Sequence, residues 1–270
     1  MAPLRAALSA RTLVLRHRVP KPGLWKGFSG ASTAAKAAAG YLALLPALGL
    51  LAACVPQAQG PLLPYPGGFA RGGLVEGRFS LALPGTPLFL DADEKALYAA
   101  YPYQLLVYGE GRLQSLPLPG VPRFLRASPR LVVGLEGGVW TEGAFYPYPA
   151  LDALLTQEGL YRVDGRGLHR DGTLVLPGAF RQVVAWEGWV VALGQQARFY
   201  PAGPTLPLPG PVRKAQAGAC GVVVLLEGLY LLRPEGLKPL GPAQDFAAFG
   251  EEIYLAPSGE VLNCKEVAWP

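Results

Sequence analysis

Histidine, methionine and asparagine are almost missing from these 270 residues, which hold only His17, His169, Met1 and Asn263 of those three types. A zinc centre needs several N or S ligands, and a Ser-His-Asp arrangement needs a histidine with partners, so neither is expected. His169 stands alone in Gly167-Leu168-His169-Arg170-Asp171 and is read as an exposed strand or turn residue. Phosphate-cradling order is missing too: no Gly-x-Gly-x-x-Gly precedes a helix and no Walker pattern occurs. Acidic residues are missing from the first 75 positions, Glu76 being the first. Helical periodicity is not found after Cys54. No cofactor, metal or catalytic set is implied.

What the chain does have begins with an uneven charge distribution. Arg5, Arg11, Arg16, Arg18, Lys21, Lys26 and Lys36 all precede an apolar run over Ala37–Ala53, 17 residues long. Its most apolar part, Tyr41–Ala53, has 13 residues and includes Pro46, which is short for a bilayer-spanning helix. A basic segment followed by an apolar one fits an export signal. Of the 24 Lys and Arg, those seven fall in the leader, leaving 17 against 19 Asp and Glu, a net −2. Nucleic-acid binding therefore has no electrostatic footing in the remainder. The 36 residues ahead of the run exceed an ordinary basic region, and Met1 is the only methionine. Translation is accordingly expected to start downstream, at a non-Met codon such as that of Val19 or Leu24.

The run ends in Leu51-Ala52-Ala53-Cys54, which resembles the lipobox of bacterial lipoprotein signal peptides. The resemblance implies cleavage before Cys54, lipid on that cysteine, and a globular part held at the cell envelope facing the periplasm or exterior. Val55, rather than Asp, implies the outer membrane by the sorting rule of that family. The expected organisation is a leader over 1–53, a Pro- and Gly-rich flexible tether over 54–74, and one domain over 75–270.

That domain repeats. The phrase Leu81-Ala82-Leu83-Pro84-Gly85 returns as Leu116-Pro117-Leu118-Pro119-Gly120, Tyr146-Pro147-Tyr148-Pro149, Val175-Leu176-Pro177-Gly178, Leu206–Gly210 and Pro239-Leu240-Gly241. Units of 35, 29, 29, 32, 31 and 29 residues follow over 86–120, 121–149, 150–178, 179–210, 211–241 and 242–270. Each splits into four short apolar pieces at pairs such as Glu136-Gly137, Asp171-Gly172 and Glu187-Gly188, which supply the positive φ of tight hairpins. Arranged radially, four-stranded meanders cover one another's faces. The units resemble the degenerate repeats of quinoprotein-like, NHL-like and WD-repeat propellers, so the expected fold is all-β, a six-bladed β-propeller. Arg78–Leu83 is expected to close the ring by pairing beside Glu260–Ala268.

Four charged residues near the starts of units, Arg126, Arg181, Lys214 and Asp245, are expected to gather at the axis as a funnel for an anionic ligand. Asp91-Ala92-Asp93-Glu94 alternates carboxylates like a calcium loop but lacks its glycine and terminal glutamate, and is read as a solvated turn. The aromatic groups Tyr98, Tyr101, Tyr103, Tyr108 and Trp140, Phe145, Tyr146, Tyr148 serve core packing between blades or a binding surface. Cys220 and Cys264 are a candidate disulfide in an oxidising compartment, although strands at different radii would hold their Cα atoms more than about 7 Å apart. A tether, a rigid disc and no catalytic set together predict a protein-binding scaffold or assembly factor for envelope proteins. This is similar in outline to propeller lipoproteins of the outer-membrane barrel assembly machinery. The alternative is a propeller enzyme or small-ligand binder using the funnel.

Overall fold

The structure is a computed structural model and describes residues 60–141 and 144–267. The leader, Cys54 and the start of the expected tether lie outside the described residues.

Among the described residues seven antiparallel sheets, not six, follow one another along the chain. The first is β1 (Leu62–Tyr65), β2 (Gly68–Arg71), β3 (Leu74–Gly77) and β4 (Leu81–Ala82). The second is β5 (Phe89–Ala92), β6 (Ala96–Tyr101), β7 (Gln104–Gly109) and β8 (Arg112–Pro117). Blade 3 holds β9 (Pro122–Arg126), β10 (Val132–Leu135), β11 (Gly138–Thr141) and β12 (Ala144–Tyr146). Blade 4 holds β13 (Asp152–Thr156), β14 (Gly159–Asp164), β15 (Gly167–Arg170) and β16 (Thr173–Pro177). In blade 5 come β17 (Phe180–Trp186), β18 (Trp189–Gly194), β19 (Gln196–Tyr200) and β20 (Thr205–Pro207). In blade 6 come β21 (Lys214–Gly218), β22 (Gly221–Leu225), β23 (Leu229–Arg233) and β24 (Gly236–Gly241). Blade 7 has three strands, β25 (Asp245–Phe249), β26 (Glu252–Ala256) and β27 (Val261–Asn263), and then a 3-10 turn over Cys264–Glu266.

The first strands β1, β5, β9, β13, β17, β21 and β25 each touch the next, and β25 touches β1, so the chain closes into a ring around an axis. Burial follows the radius. Second strands such as β22 (Gly-Val-Val-Val-Leu) are buried at every residue because neighbouring blades cover both faces. Fourth strands such as β8 and β16 are mostly exposed. The apolar cores therefore lie between blades, for example Val191 and Leu193 of blade 5 against Val222 and Val224 of blade 6. Burial of this kind contributes roughly 25 cal/mol per Å² of apolar surface.

Residues 62–74, expected as tether, form most of an additional blade. The prolines and glycines there serve strand and turn geometry. Pro64 of β1 pairs with Phe69 of β2, and the other edge of β1 faces the axis and needs no N–H donor. Gly67-Gly68 turns β1 into β2, and a Cβ on Gly68 would lie 2.1 Å from the carbonyl oxygen of Glu76, so only glycine fits. The expected closing strand is also corrected: Leu81 and Ala82 pair with Val75 and Leu74 inside blade 1, not with blade 7.

Closure is instead by side chains. The Arg78 guanidinium lies 4.1 Å from the Phe249 ring centroid and 4.7 Å from that of Phe79, and it donates to the Asp93 carbonyl. Phe69 packs edge-on against Tyr254, with centroids 5.5 Å apart. Blades 7, 1 and 2 are thereby joined without sharing a strand.

Candidate functional site

The first strands begin at one face of the ring, the entry face, and end at the other. A cavity of about 470 Å³ opens at the entry mouth and one of about 250 Å³ at the exit mouth. Both are lined by Asp91, Arg126 and Gln216, so the axis is crossed by a polar layer between them.

Arg126, the last residue of β9, makes a forked contact with Asp152 at the head of β13. Nε donates to Oδ1 at 3.1 Å and Nη2 donates to Oδ2. Its Nη1 donates to the Ala215 carbonyl at 2.7 Å, on β21 in blade 6. Asp152 Oδ2 also accepts the Val183 N–H at 3.0 Å, from blade 5. The same device recurs on alternate blades. Asp91 Oδ2 accepts the Ala127 N–H at 2.8 Å, from blade 2 to blade 3. Gln216 Oε1 accepts the Ala248 N–H at 3.0 Å, from blade 6 to blade 7. Six of the seven blades thus contribute a group to one network.

Burial pushes the Asp91 carboxyl above its ordinary pKa, opposed by the Ala127 and Ala92 N–H groups and by the Arg126 and Lys214 charges. For Arg126, burial alone would lower the pKa, but the Asp152 carboxylate outweighs it and holds the guanidinium above its usual value. The layer is tightly bonded: Arg126 is paired with Asp152, and the Asp91 carboxyl is held by the Ala92 and Ala127 N–H groups.

The four residues expected at the funnel divide accordingly. Arg126 reaches the axis but is consumed by Asp152. Lys214 and Asp245 line the entry cavity and pair with each other, Nζ to Oδ1 at 2.7 Å. Arg181 is not in the funnel: the β17–β18 ladder shifts register between Phe180 and Gln182, leaving Arg181 unpaired and exposed beside the mouth. The expected cationic ring is therefore two ion pairs plus one displaced arginine. Asp91 is not a solvated turn carboxylate but a buried residue of β5. Asp93 is the turn residue, accepting the Lys95 N–H at 2.7 Å and the Ala96 N–H at 2.8 Å. Asp152 and Gln216 escaped the sequence argument. The available signal was an acid heading first strands, as in Asp152-Ala153 and Asp245-Phe246, with its own next N–H bound.

His169 is buried on β15, not exposed, and its Nε2 lies 3.1 Å from Asp164 Oδ2. The same oxygen accepts from Arg162 Nη1 at 2.9 Å, and Oδ1 accepts the Arg166 N–H at 2.8 Å. Partial burial would raise the Asp164 pKa, but the Arg166 N–H, the Arg162 guanidinium and His169 outweigh it and bring the value to about 2. A depressed carboxyl stabilises the fold above its unfolded pKa, about 4, and loses that contribution as pH falls toward 2. Asp164→Asn is therefore expected to flatten the acid limb of a melting-temperature profile between pH 4 and pH 2. Parallel wild-type and variant limbs would contradict the assignment.

The structure links Cys220 to Cys264 as a disulfide with Cα atoms 6.0 Å apart. The radius objection does not apply because Cys264 lies in the 3-10 turn after β27, not within a strand. The β25–β26 turn draws the two together: Ala219 donates to the Gly250 carbonyl and Cys264 to that of Glu251. Of the aromatic groups, Trp140 is buried in the core between blades 2 and 3, whereas Tyr103, Phe145 and Tyr148 are exposed.

Immediately before β5, β9 and β13 stand Leu88, Val121 and Leu151, all exposed on the entry face, at 49%, 43% and 56%. A run of apolar side chains at equivalent positions of three successive blades is a candidate contact surface.

No family model and no curated protein matches the chain. Among solved structures it is similar to BBS1N in its complex with ARL6DN, at 17% identity over 70% of this chain and 80% of that one, TM-score 0.48. It is also similar to Hsv2 of Kluyveromyces lactis, at 14% identity over 60% of this chain and 68% of that one, TM-score 0.43. Apo AztD of Citrobacter koseri gives 10% identity over 74% of each chain, TM-score 0.44. The assignment of this chain as a degenerate β-propeller rests on its own strand pairing and ring closure.

Proposed function

We propose that the chain is a cell-envelope propeller, anchored by lipid on Cys54, that acts as a binding scaffold for other proteins. The observation that carries the scaffold reading is the state of the axis. Arg126 is spent on Asp152 and Lys214 on Asp245, and the Asp91 carboxyl is held by the Ala92 and Ala127 N–H groups. What remains for contact is a rigid disc with an apolar rim at Leu88, Val121 and Leu151. A funnel enzyme or small-ligand binder is the weaker reading for the same reason.

Support for the anchor comes from the sequence around Ala37–Cys54 alone. Growth with a labelled fatty acid tests it. Label is expected on the wild type, in the membrane fraction, and on none of a Cys54→Ala variant. An unlabelled wild type would overturn the anchor and leave the propeller untouched.

A further inference from the structure

A second concavity opens on the entry face beside the channel mouth. Leu151, Arg181, Gln182 and Arg213 line a cavity of about 490 Å³, with buried Phe180 and Val212 in its wall. Arg181 is the displaced residue of the β17 register shift, and Arg213 immediately precedes β21. Gln182 Nε2 donates to the Arg213 carbonyl at 3.0 Å, tying the two arginine-bearing segments together. Both arginines are exposed, and among the described residues neither guanidinium has a carboxylate partner. Gln182 Oε1 is buried without a hydrogen-bond partner.

The chemistry of an occupant follows. Two guanidiniums call for carboxylates, which they grip as paired donors. Leu151, exposed in the same cavity and shared with the channel mouth that Leu88 also lines, calls for an apolar side chain beside the acid.

We infer that this cavity is the docking site for an acidic, apolar-flanked peptide segment of a partner protein. The inference rests on the protein-binding reading above and names the partner's chemistry. Arg181 and Arg213 hold its carboxylates, Gln182 braces the Arg213 segment, and Leu151 packs on its apolar side chain. The net −2 of residues 54–270 makes this basic pair a local feature, not a consequence of overall charge.

Photo-crosslinking in cells tests it with the full-length chain. A photoreactive phenylalanine analogue replaces Leu151 in one strain and Val261, exposed on blade 7, in another. Mass spectrometry then reads the crosslinked segment. An acidic peptide joined at position 151 is expected, with its yield falling at least about tenfold in an Arg181→Glu, Arg213→Glu background. Should that variant fail to fold, Arg181→Gln with Arg213→Gln is expected to give a smaller loss with an unchanged melting temperature. A protein adduct at 151 that ignores the arginines would overturn the site, as would adducts from 261 alone, and both leave the scaffold reading standing. A lipid or nucleic-acid adduct at 151 would overturn the peptide occupant. Protein adducts from neither position would overturn site and scaffold together.

Discussion

Replacing Arg126 with alanine is expected to lower stability by about 3–5 kcal/mol, the range for removing one partner of a buried ion pair. The size follows from what is left behind. The Asp152 side chain is 4% exposed and loses its cationic partner, and the Ala215 carbonyl loses its donor as well. Asp91 loses a favourable charge at the same time. Denaturant titration of the variant measures the loss, and a double-mutant cycle with Asp152→Leu isolates the pair. Arg126→Leu with Asp152→Leu is expected to recover much of the stability, because removing both charges leaves no uncompensated ion, although the Val183 N–H then needs a new partner. An Arg126→Ala cost below 1 kcal/mol would mean that the layer is hydrated and that the axis is available for ligands after all.

The second large effect is at the disulfide. Cys220 and Cys264 are separated by 44 residues, and a loop of that size is worth about 4 kcal/mol in the chain-entropy model. For a domain of roughly 200 residues this is a fall in melting temperature of about 8–16 °C. The bond has a local task too. Among the described residues blade 7 alone has three strands, and Cys264 opens the 3-10 turn that follows them. The covalent link to the β21–β22 turn holds that end onto blade 6. Cys220→Ala with Cys264→Ala is expected to show the full loss, with early hydrogen exchange in β27. Equal melting of variant and wild type would show that the bond does not form in the isolated protein.

Much of this architecture was legible in the chain, for physical reasons that differ by region. Loops between blades must leave one sheet and enter the next, and Pro-Gly phrases mark them, so the ends of blades 1 to 6 fell close to the repeated phrases. Strands such as Leu229–Arg233 lie between the acidic-glycine pairs Glu227-Gly228 and Glu235-Gly236, as the expected splitting at such pairs requires. At Glu187-Gly188, for example, φ is positive at both residues, as the tight turn requires. Blade 1 was hidden by composition. Proline and paired glycines signal a linker when read alone, yet an inner strand tolerates proline on its axial edge and hairpins need glycine.

The axial network was illegible for a different reason. Arg126 meets Ala215 across 89 residues, and Gln216 approaches Asp91 across 125. Such partners are set by how many blades close the ring, and assuming six put every first strand at the wrong angle. Arg181 was misplaced by a bulge, which adds one residue and turns the side chain out of the funnel. His169 was read in isolation, whereas the β14–β15 hairpin brings it to Asp164.

The claim on which the rest depends is that residues 62–82 are the first blade, seated between β25 and β5. Hydrogen–deuterium exchange of the full chain tests it most directly. The account predicts amides of Phe69, Ala70 and Val75 protected to the same degree as those of Val222–Leu225 in blade 6. Complete exchange of that segment within seconds, with the other six blades protected, would contradict it.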